Sequence, residues 1–327
     1  MSATEPWSDL GELEMRPQSS GASQQETAGP HITGLFSYQH GTSSDLRPVK
    51  LSILMSAYNE ERTIVQAIHE VLNTEYSCDY ELIVVDDGST DQTGVLLSQL
   101  SSDRLIVHRH KENRGKGAAL MSAVALASGT HILPFDADLE YAAEDIPKVL
   151  EPVLKGRCSV VYGVRLFGYN TVYQSLRYAV GNRLMTRMAN VLFDACLSDL
   201  HTCLKLIPLP LLRTLNLAEQ GFGLDTEVTA MLLKRGIRPF EVPVSYYSRS
   251  HAQGKKIKLR DALACAWILL RVRLQRWSRS QSDRGPEVIE DAHNLAAISQ
   301  PDSQRSGYFR ALVINDSANE VPARIVG

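Results

Sequence analysis

Asp136-Ala137-Asp138-Leu139-Glu140 places three carboxylates within five residues, directly after an apolar run at residues 132–135. Like charges that close repel one another unless a cation sits between them. Alternating side chains at a strand end can converge on a hard cation such as Mg²⁺ or Mn²⁺, which takes oxygen ligands and substrate phosphates. The same residues would also serve as a solvated acidic turn with a helix cap. A second acidic run, Asp86-Asp87-Gly88-Ser89-Thr90-Asp91, follows apolar residues 81–85. One carboxylate there can accept hydrogen bonds from a ribose or base, and Asp87 and Asp91 can also cap the next helix. Asn113-Arg114-Gly115-Lys116-Gly117 opens a helix with two glycines and two cations. Its first amides and Lys116 can meet a phosphate, although the GxxxxGK[ST] spacing of a Walker loop is absent.

These segments sit at the ends of an alternating pattern. Strands are expected at 51–57, 81–85, 104–108, 132–135 and 158–163. Helices are expected at 61–72, from about Asp91, at 115–128 and after Ala143. Such alternation predicts an α/β fold, a mainly parallel central sheet with helices on both faces. Ligands bind beyond the carboxyl ends of strands in sheets of this kind, where both acidic runs fall. A helix at 171–194 would carry Tyr173, Leu176, Val180, Leu184, Met188 and Val191 on one face, with Arg177 on that same face. A last strand at 239–246 leads to a basic loop containing Arg249, Lys255 and Lys256. A C-terminal helix at 259–277 aligns Leu259, Leu263, Ala266, Leu270, Leu274 and Trp277 beside Arg260, Arg271, Arg273 and Arg276, with Ile268 opposite. Either stripe suits a protein core or a lipid interface.

The chain has 327 residues, 44% hydrophobic and 22% charged, with a net charge of only −3, so no global field recruits nucleic acid. Its cysteines, Cys78, Cys158, Cys196, Cys203 and Cys265, are odd in number and never spaced CxxC. That argues against a disulfide framework or structural zinc and suits a reducing compartment. The first thirty residues lack the apolar core of a secretory signal. Residues 117–135 carry no formal charge and would be long enough to span a bilayer, but Ser122, Ser128, Gly129, Thr130, His131 and Pro134 interrupt them. They read as a helix, a glycine stop and a strand. Residues 1–48 and 279–327 are polar and expected to be mostly disordered, although Leu312, Val313 and Ile314 could dock.

Ser56-Ala-Tyr58-Asn59-Glu60-Glu61, Val84-Val-Asp-Asp-Gly-Ser-Thr-Asp91, Asn113-Arg-Gly-Lys-Gly117 and Asp136-Ala-Asp138 occur in that order. Together they resemble the family 2 glycosyltransferases of GT-A fold, and within them the dolichol-phosphate mannose synthase group. The resemblance covers about residues 50 to 275. It implies a GT-A domain at 49–250, a basic loop and amphipathic, membrane-facing helix at 251–278, and polar tails on either side. It also implies donor-nucleotide contacts at Tyr58, Glu60, Val85 and Asp87. Asp136, Ala137 and Asp138 would surround a Mg²⁺ or Mn²⁺ ion and the diphosphate, with Glu140 as a further metal ligand. Arg165, Arg249 and Lys255 would hold donor phosphates, and Arg177 the acceptor phosphate. Ser56 stands where the family usually has Pro, and Glu140 where the mannose synthases commonly have Gln. Asp199-Leu-His-Thr202-Cys203 resembles an Asp-x-x-Thr-Gly motif with Cys in place of Gly.

The implied activity is an inverting, metal-dependent transfer of a hexose from GDP-mannose or UDP-glucose to a polyprenyl phosphate, peripheral to the cytoplasmic face of a membrane. Asp136, Asp138 and Arg177 would be its catalytic residues. An ionised phosphate needs no strong base to attack; a hydroxyl acceptor needs one, for which Asp199, Asp225 and Glu227 are the candidates. The alternatives are transfer to a soluble glycan or small hydroxyl acceptor, a scaffold that binds a nucleotide sugar without catalysis, and nucleotidyl transfer on a similar sheet. A nicotinamide-binding protein is disfavoured because no GxGxxG follows the first strand.

Overall fold

The computed structural model describes residues 48–166, 168–173, 176–248, 259–275 and 313–315. The expected polar tails lie outside the described residues except for residues 48 and 313–315, as does the basic loop with Arg249 and Lys255. The strands are β1 Lys50–Ala57, β2 Asp79–Asp86, β3 Leu105–Arg109, β4 His131–Pro134, β5 Val161–Val164, β6 Thr171–Val172, β7 Lys205–Pro208, β8 Phe240–Pro243, β9 Tyr246–Tyr247 and β10 Val313–Asn315. The helices are α1 Ile64–Asn73, α2 Thr93–Ser98, α3 Lys116–Leu126, α4 Ile146–Leu154, α5 Leu176–Phe193, α6 Leu209–Arg213, α7 Leu224–Lys234 and α8 Leu259–Leu274.

Among the described residues the main sheet runs β10-β3-β2-β1-β4-β7-β5-β8. All neighbours are parallel except β7, which is antiparallel to both β4 and β5. β1 and β2 are apolar on both sides because both faces are covered. Leu51, Ile53 and Met55 face the cluster under α1 and α4, while Leu54, Ile83 and Val85 face α3, α6 and α7. Full burial of each such side chain contributes roughly 1.5–3 kcal/mol. From β1 the chain builds outward through β2 and β3, then returns to place β4 on β1's other side. The strand order reverses between β1 and β4, and a crevice opens beyond their carboxyl ends at such a switch point.

The expected strands and helices of the first half are present, and Val313–Asn315 joins the sheet edge beside β3. The helix expected at 171–194 is shorter. Thr171 and Val172 form β6, which pairs with β9, and α5 starts at Leu176. Its inward residues are Thr186, Ala189 and Phe193, while Leu176, Val180, Leu184 and Val191 point to solvent. α5 packs on α7 and α8 through the opposite side from the face the apolar spacing suggested. On α8, Ile268 is buried with Leu269 and Val272, and Leu263, Leu270 and Leu274 face outward. β7, α6 and α7 were not anticipated. Lys205 interrupts the apolar pattern of β7, and its buried ammonium is satisfied by the Thr202 carbonyl and by Asp225 at 3.3 Å. No helix among the described residues is long and apolar enough to cross a membrane, and residues 117–135 divide into α3 and β4.

Candidate active site

The loops after β1 and β2 are knitted together. Asn59 adopts a left-handed φ of 56°, a conformation its short polar side chain tolerates. That turn lets its amide donate to Ser89 Oγ at 3.0 Å and its Oδ1 accept from the Thr90 amide at 2.8 Å. The Glu60 amide donates to Thr93 Oγ1 at 2.9 Å, and Thr63 Oγ1 donates to Glu60 Oε2 at 3.0 Å. Tyr58 is left exposed at the crevice. Val85 is fully buried in the core and offers a ligand no surface, so a donor contact through its side chain does not fit.

Asp87 is buried, and both of its oxygens are committed within the protein. Oδ1 lies 2.7 Å from His110 Nδ1 and accepts the Arg114 amide at 3.0 Å; Oδ2 accepts the Gly115 amide at 2.8 Å. His110 in turn reaches Ser122 Oγ at 2.9 Å. Asp87 therefore shapes the start of α3. Asp86 Oδ1 accepts the Ser89 amide at 2.9 Å, and Oδ2 lies 3.2 Å from Arg109 Nε. His110 escaped the sequence reading because a lone histidine after a strand carries no spacing signal.

α3 is seated from the other side by residues 218–221. The Gln220 carbonyl accepts the Ala118 amide at 2.9 Å. Gly115 has φ 97°, and a Cβ on it would stand 2.7 Å from the Gln220 oxygen, so only glycine fits both the turn and the approach. This seating carries Lys116 Nζ to 2.7 Å from Asp136 Oδ1. Burial opposes both charges, but each partner outweighs it: Lys116 is held well above the usual lysine range, and Asp136 below the usual carboxylate range.

Leu139 turns the chain back with φ 59°, so that the Glu140 amide donates to Asp138 Oδ1 at 3.1 Å. A left-handed non-glycine residue costs roughly 1–2 kcal/mol. The turn brings Glu140 to Tyr246, whose hydroxyl donates to its Oε2. The expected set of Asp136, Asp138 and Glu140 is not gathered as one metal-ligand group. Among the described residues no three His, Cys, Asp or Glu side chains are gathered closely enough to hold a metal ion.

Arg165 and Asp199 form a bidentate pair, with Nε to Oδ2 at 2.6 Å and Nη2 to Oδ1 at 2.8 Å. Asn182 of α5 donates to Asp199 Oδ1 at 2.8 Å. Burial would raise Asp199, but the Arg165 guanidinium holds it far below the usual carboxylate range. Arg165 also lies over the Tyr246 ring, 4.9 Å from its centre. Of the other candidate bases, Asp225 faces Lys205. Glu227 Oε2 accepts the Ala218 and Glu219 amides at 2.9 and 2.8 Å, while its Oε1 binds Arg271 at 2.8 Å. Arg177 is exposed on the first turn of α5. The structure thus brings Lys116, Asp136, Asp138, Arg165 and Asp199 to one end of the sheet and leaves Arg249 and Lys255 outside the described residues.

Comparison with known proteins accords with this architecture. The low-salt glycan biosynthesis hexosyltransferase Agl6 of Haloferax volcanii is 30% identical over 212 residues, 63% of this chain and 49% of that protein. Glycosyltransferase AglJ of the same organism is 28% identical over 203 residues, 62% of this chain and 64% of that protein. The chain spans about half the length of the curated relatives it matches. Among solved structures, glucosyl-3-phosphoglycerate synthase from Mycobacterium tuberculosis, in complex with Mn²⁺, UDP and phosphoglyceric acid, superposes with TM-score 0.52 at 22% identity. That match covers 70% of this chain and 80% of that one, and it supports the GT-A-type fold. The family model described as glycosyl transferase family 2 matches residues 52–206, which contain the switch-point crevice and its aspartates, and together with the Haloferax relatives it supports a family 2 glycosyltransferase domain there.

Proposed function

We propose that the protein is an inverting glycosyltransferase that moves a hexose from GDP-mannose or UDP-glucose to a polyprenyl phosphate, working peripherally at the cytoplasmic face of a membrane. The observation that carries the acceptor class is the state of the candidate bases. Asp199 is neutralised by Arg165, Asp225 faces the Lys205 ammonium, and Glu227 is saturated by two amides and Arg271. None of these three carboxylates is poised to deprotonate a hydroxyl. A phosphate acceptor is already ionised at neutral pH and asks the enzyme for alignment and for neutralisation of the departing diphosphate. In-line attack on an α-linked donor then yields a β-linked product.

Asp136 and Asp138 are hard oxygen donors that would hold a Mg²⁺ or Mn²⁺ ion, in keeping with the Mn²⁺ named for the M. tuberculosis synthase. The ion fits them in charge, since Asp136 already binds a cation, Lys116. Bound there, it would supply Lewis-acid stabilisation of the diphosphate. Lys116 would then be freed toward a donor phosphate, Tyr58 would lie under the base, and Glu60 would order the loop beside it. Arg177 would meet the acceptor phosphate at the start of α5, and Arg249 and Lys255 the donor diphosphate. Asp87 would act by shaping the start of α3.

The test is product analysis with each donor, offered a short-chain polyprenyl phosphate or the corresponding alcohol. Nucleoside diphosphate release with a β-linked sugar phosphate from the phosphate alone is the expected result. Transfer to the alcohol alone would establish the hydroxyl-acceptor alternative. Binding of a donor without turnover on any acceptor would favour the scaffold reading.

A further inference from the structure

Tyr246 is among the largest fully buried side chains of the described residues, and its position is fixed from several directions. Its amide donates to the Asn170 carbonyl at 3.0 Å, and an isolated antiparallel bridge joins it to Tyr141. Its ring packs against Tyr141 and Tyr173, with ring centres 5.2 and 5.9 Å away, and the Arg165 guanidinium lies over it. Arg165 is itself held by Asp199, and the Tyr173 hydroxyl donates to the Arg165 carbonyl at 3.1 Å. That placement delivers the Tyr246 hydroxyl to Glu140 Oε2. The next amide, that of Tyr247, donates to the Glu140 carbonyl at 2.8 Å, so β9 holds Glu140 by both main chain and side chain.

Glu140 is buried and follows Asp138 across the left-handed turn at Leu139. By type it is a third hard oxygen donor beside Asp136 and Asp138. Two ties act against a common ligand group: Lys116 takes Asp136, and Tyr246 takes Glu140. The second is a hydrogen bond to a carboxylate, stronger than one between neutral groups, and it is made where water competes little. Drawing Glu140 onto an ion would break that bond and leave a buried hydroxyl without its acceptor.

We propose that Tyr246 is a positioning residue that withholds Glu140 from a Mg²⁺ or Mn²⁺ ion, so that Asp136, Asp138 and the donor diphosphate supply the coordination. This deepens the proposed reading of the same site and rests on it for the donor. Charge gives the arrangement its purpose. Two carboxylates balance a divalent ion, whereas a third would leave the group net negative and repel the diphosphate it has to receive. A hard cation held by one or two carboxylates takes its remaining ligands from water and substrate phosphates. In this role Tyr246 touches neither donor nor acceptor and acts through Glu140.

The experiment is calorimetric titration of the full chain with Mn²⁺, with and without GDP or UDP, on wild type, Tyr246→Phe, Glu140→Gln and the double variant. Phenylalanine keeps the ring beneath Arg165 and removes only the hydroxyl, leaving Glu140 Oε2 without a donor that a cation can replace. Without nucleotide, Tyr246→Phe is expected to bind Mn²⁺ about tenfold more tightly than wild type, and Glu140→Gln/Tyr246→Phe to lose that gain. Glu140→Gln alone should bind Mn²⁺ like wild type. A Tyr246→Phe no tighter than wild type overturns the proposal, as does a gain that survives in the double variant. So does a loss of Mn²⁺ affinity in Glu140→Gln, which would make Glu140 a ligand in the wild-type protein. Should Tyr246→Phe fail to melt cooperatively, Glu140→Gln decides alone, by unchanged or weakened Mn²⁺ binding in the presence of the nucleotide. The expected gain in Tyr246→Phe, with a wild-type Mn²⁺ affinity that neither nucleotide raises, would instead reject the donor reading and leave the role of Tyr246 standing.

Discussion

Lys116 Nζ stands 2.7 Å from Asp136 Oδ1, so the first carboxylate of the acidic triplet already holds a cation supplied by the protein itself. The pairing answers the repulsion that three neighbouring carboxylates would otherwise suffer, and it relates two segments twenty residues apart in sequence. It also sets up a competition, because a divalent ion at Asp136 must share that carboxylate with the ammonium or displace it.

Replacing Lys116 with Met should therefore leave Asp136 without its counter-ion and destabilise the metal-free protein by about 2 kcal/mol, less than a fully buried pair would cost because both side chains are partly exposed. Added Mn²⁺ should raise the melting temperature of Lys116→Met more than that of wild type. Equal shifts in the two proteins would show that the metal does not bind at Asp136.

Asp138 Oδ1 accepts the Glu140 amide at 3.1 Å, at the carboxyl end of the sheet beside Asp136. Asp138→Ala is expected to abolish metal-dependent binding of GDP-mannose or UDP-glucose in calorimetry while changing the melting temperature by less than about 1 kcal/mol equivalent, as for substitutions away from the core. Retained, metal-dependent binding in the variant would remove Asp138 from the ligand set.

His201 bridges α5 and α7, with Nδ1 3.0 Å from Asn182 Oδ1 and Nε2 3.0 Å from Thr226 Oγ1. Burial, helped by the Lys205 ammonium, pushes it from 6.5 down to about 4. Between those values the unfolded chain takes up a proton that the folded chain refuses, so stability falls as pH drops from 6.5 toward 4. The loss from this residue should be on the order of 2 kcal/mol, allowing for its partial exposure. Denaturant titrations across that range should show a shallower slope in His201→Gln. An identical slope would mean that another group carries the acid sensitivity.

Arg271 of α8 binds Glu219 Oε1 at 2.9 Å and Glu227 Oε1 at 2.8 Å, and so fixes the loop whose Gln220 carbonyl seats α3. Loosening that loop should misplace Lys116 without touching the reacting atoms. Arg271→Ala is expected to raise the donor KM about three- to tenfold with a smaller change in kcat, and Arg271→Lys to recover part of the loss. A lowered melting temperature with unchanged KM would reduce Arg271 to a structural tie.

The sequence by itself determined the order of β1 to β4 and the placement of both acidic runs at strand ends. Those signals are local: continuous apolar runs such as Leu51–Ala57 can only be doubly covered strands, and Gly88 or Gly115 marks where each turns. Val313 and Ile314 were recognisable for the same reason, as an apolar run in a polar tail. Tertiary structure decided everything that depends on which side of an element faces inward. For α5 spacing identified an apolar stripe but left it open to a core or a lipid interface, and the packing of α7 and α8 on Ala189 and Phe193 decided which side is buried. The same holds for charges. Asp87 and Glu140 were read as groups awaiting a ligand, but His110 and Tyr246, distant in sequence, take up their oxygens. A carboxylate's availability is set by what the fold brings within about 3 Å of it, and no spacing rule along the chain encodes that distance.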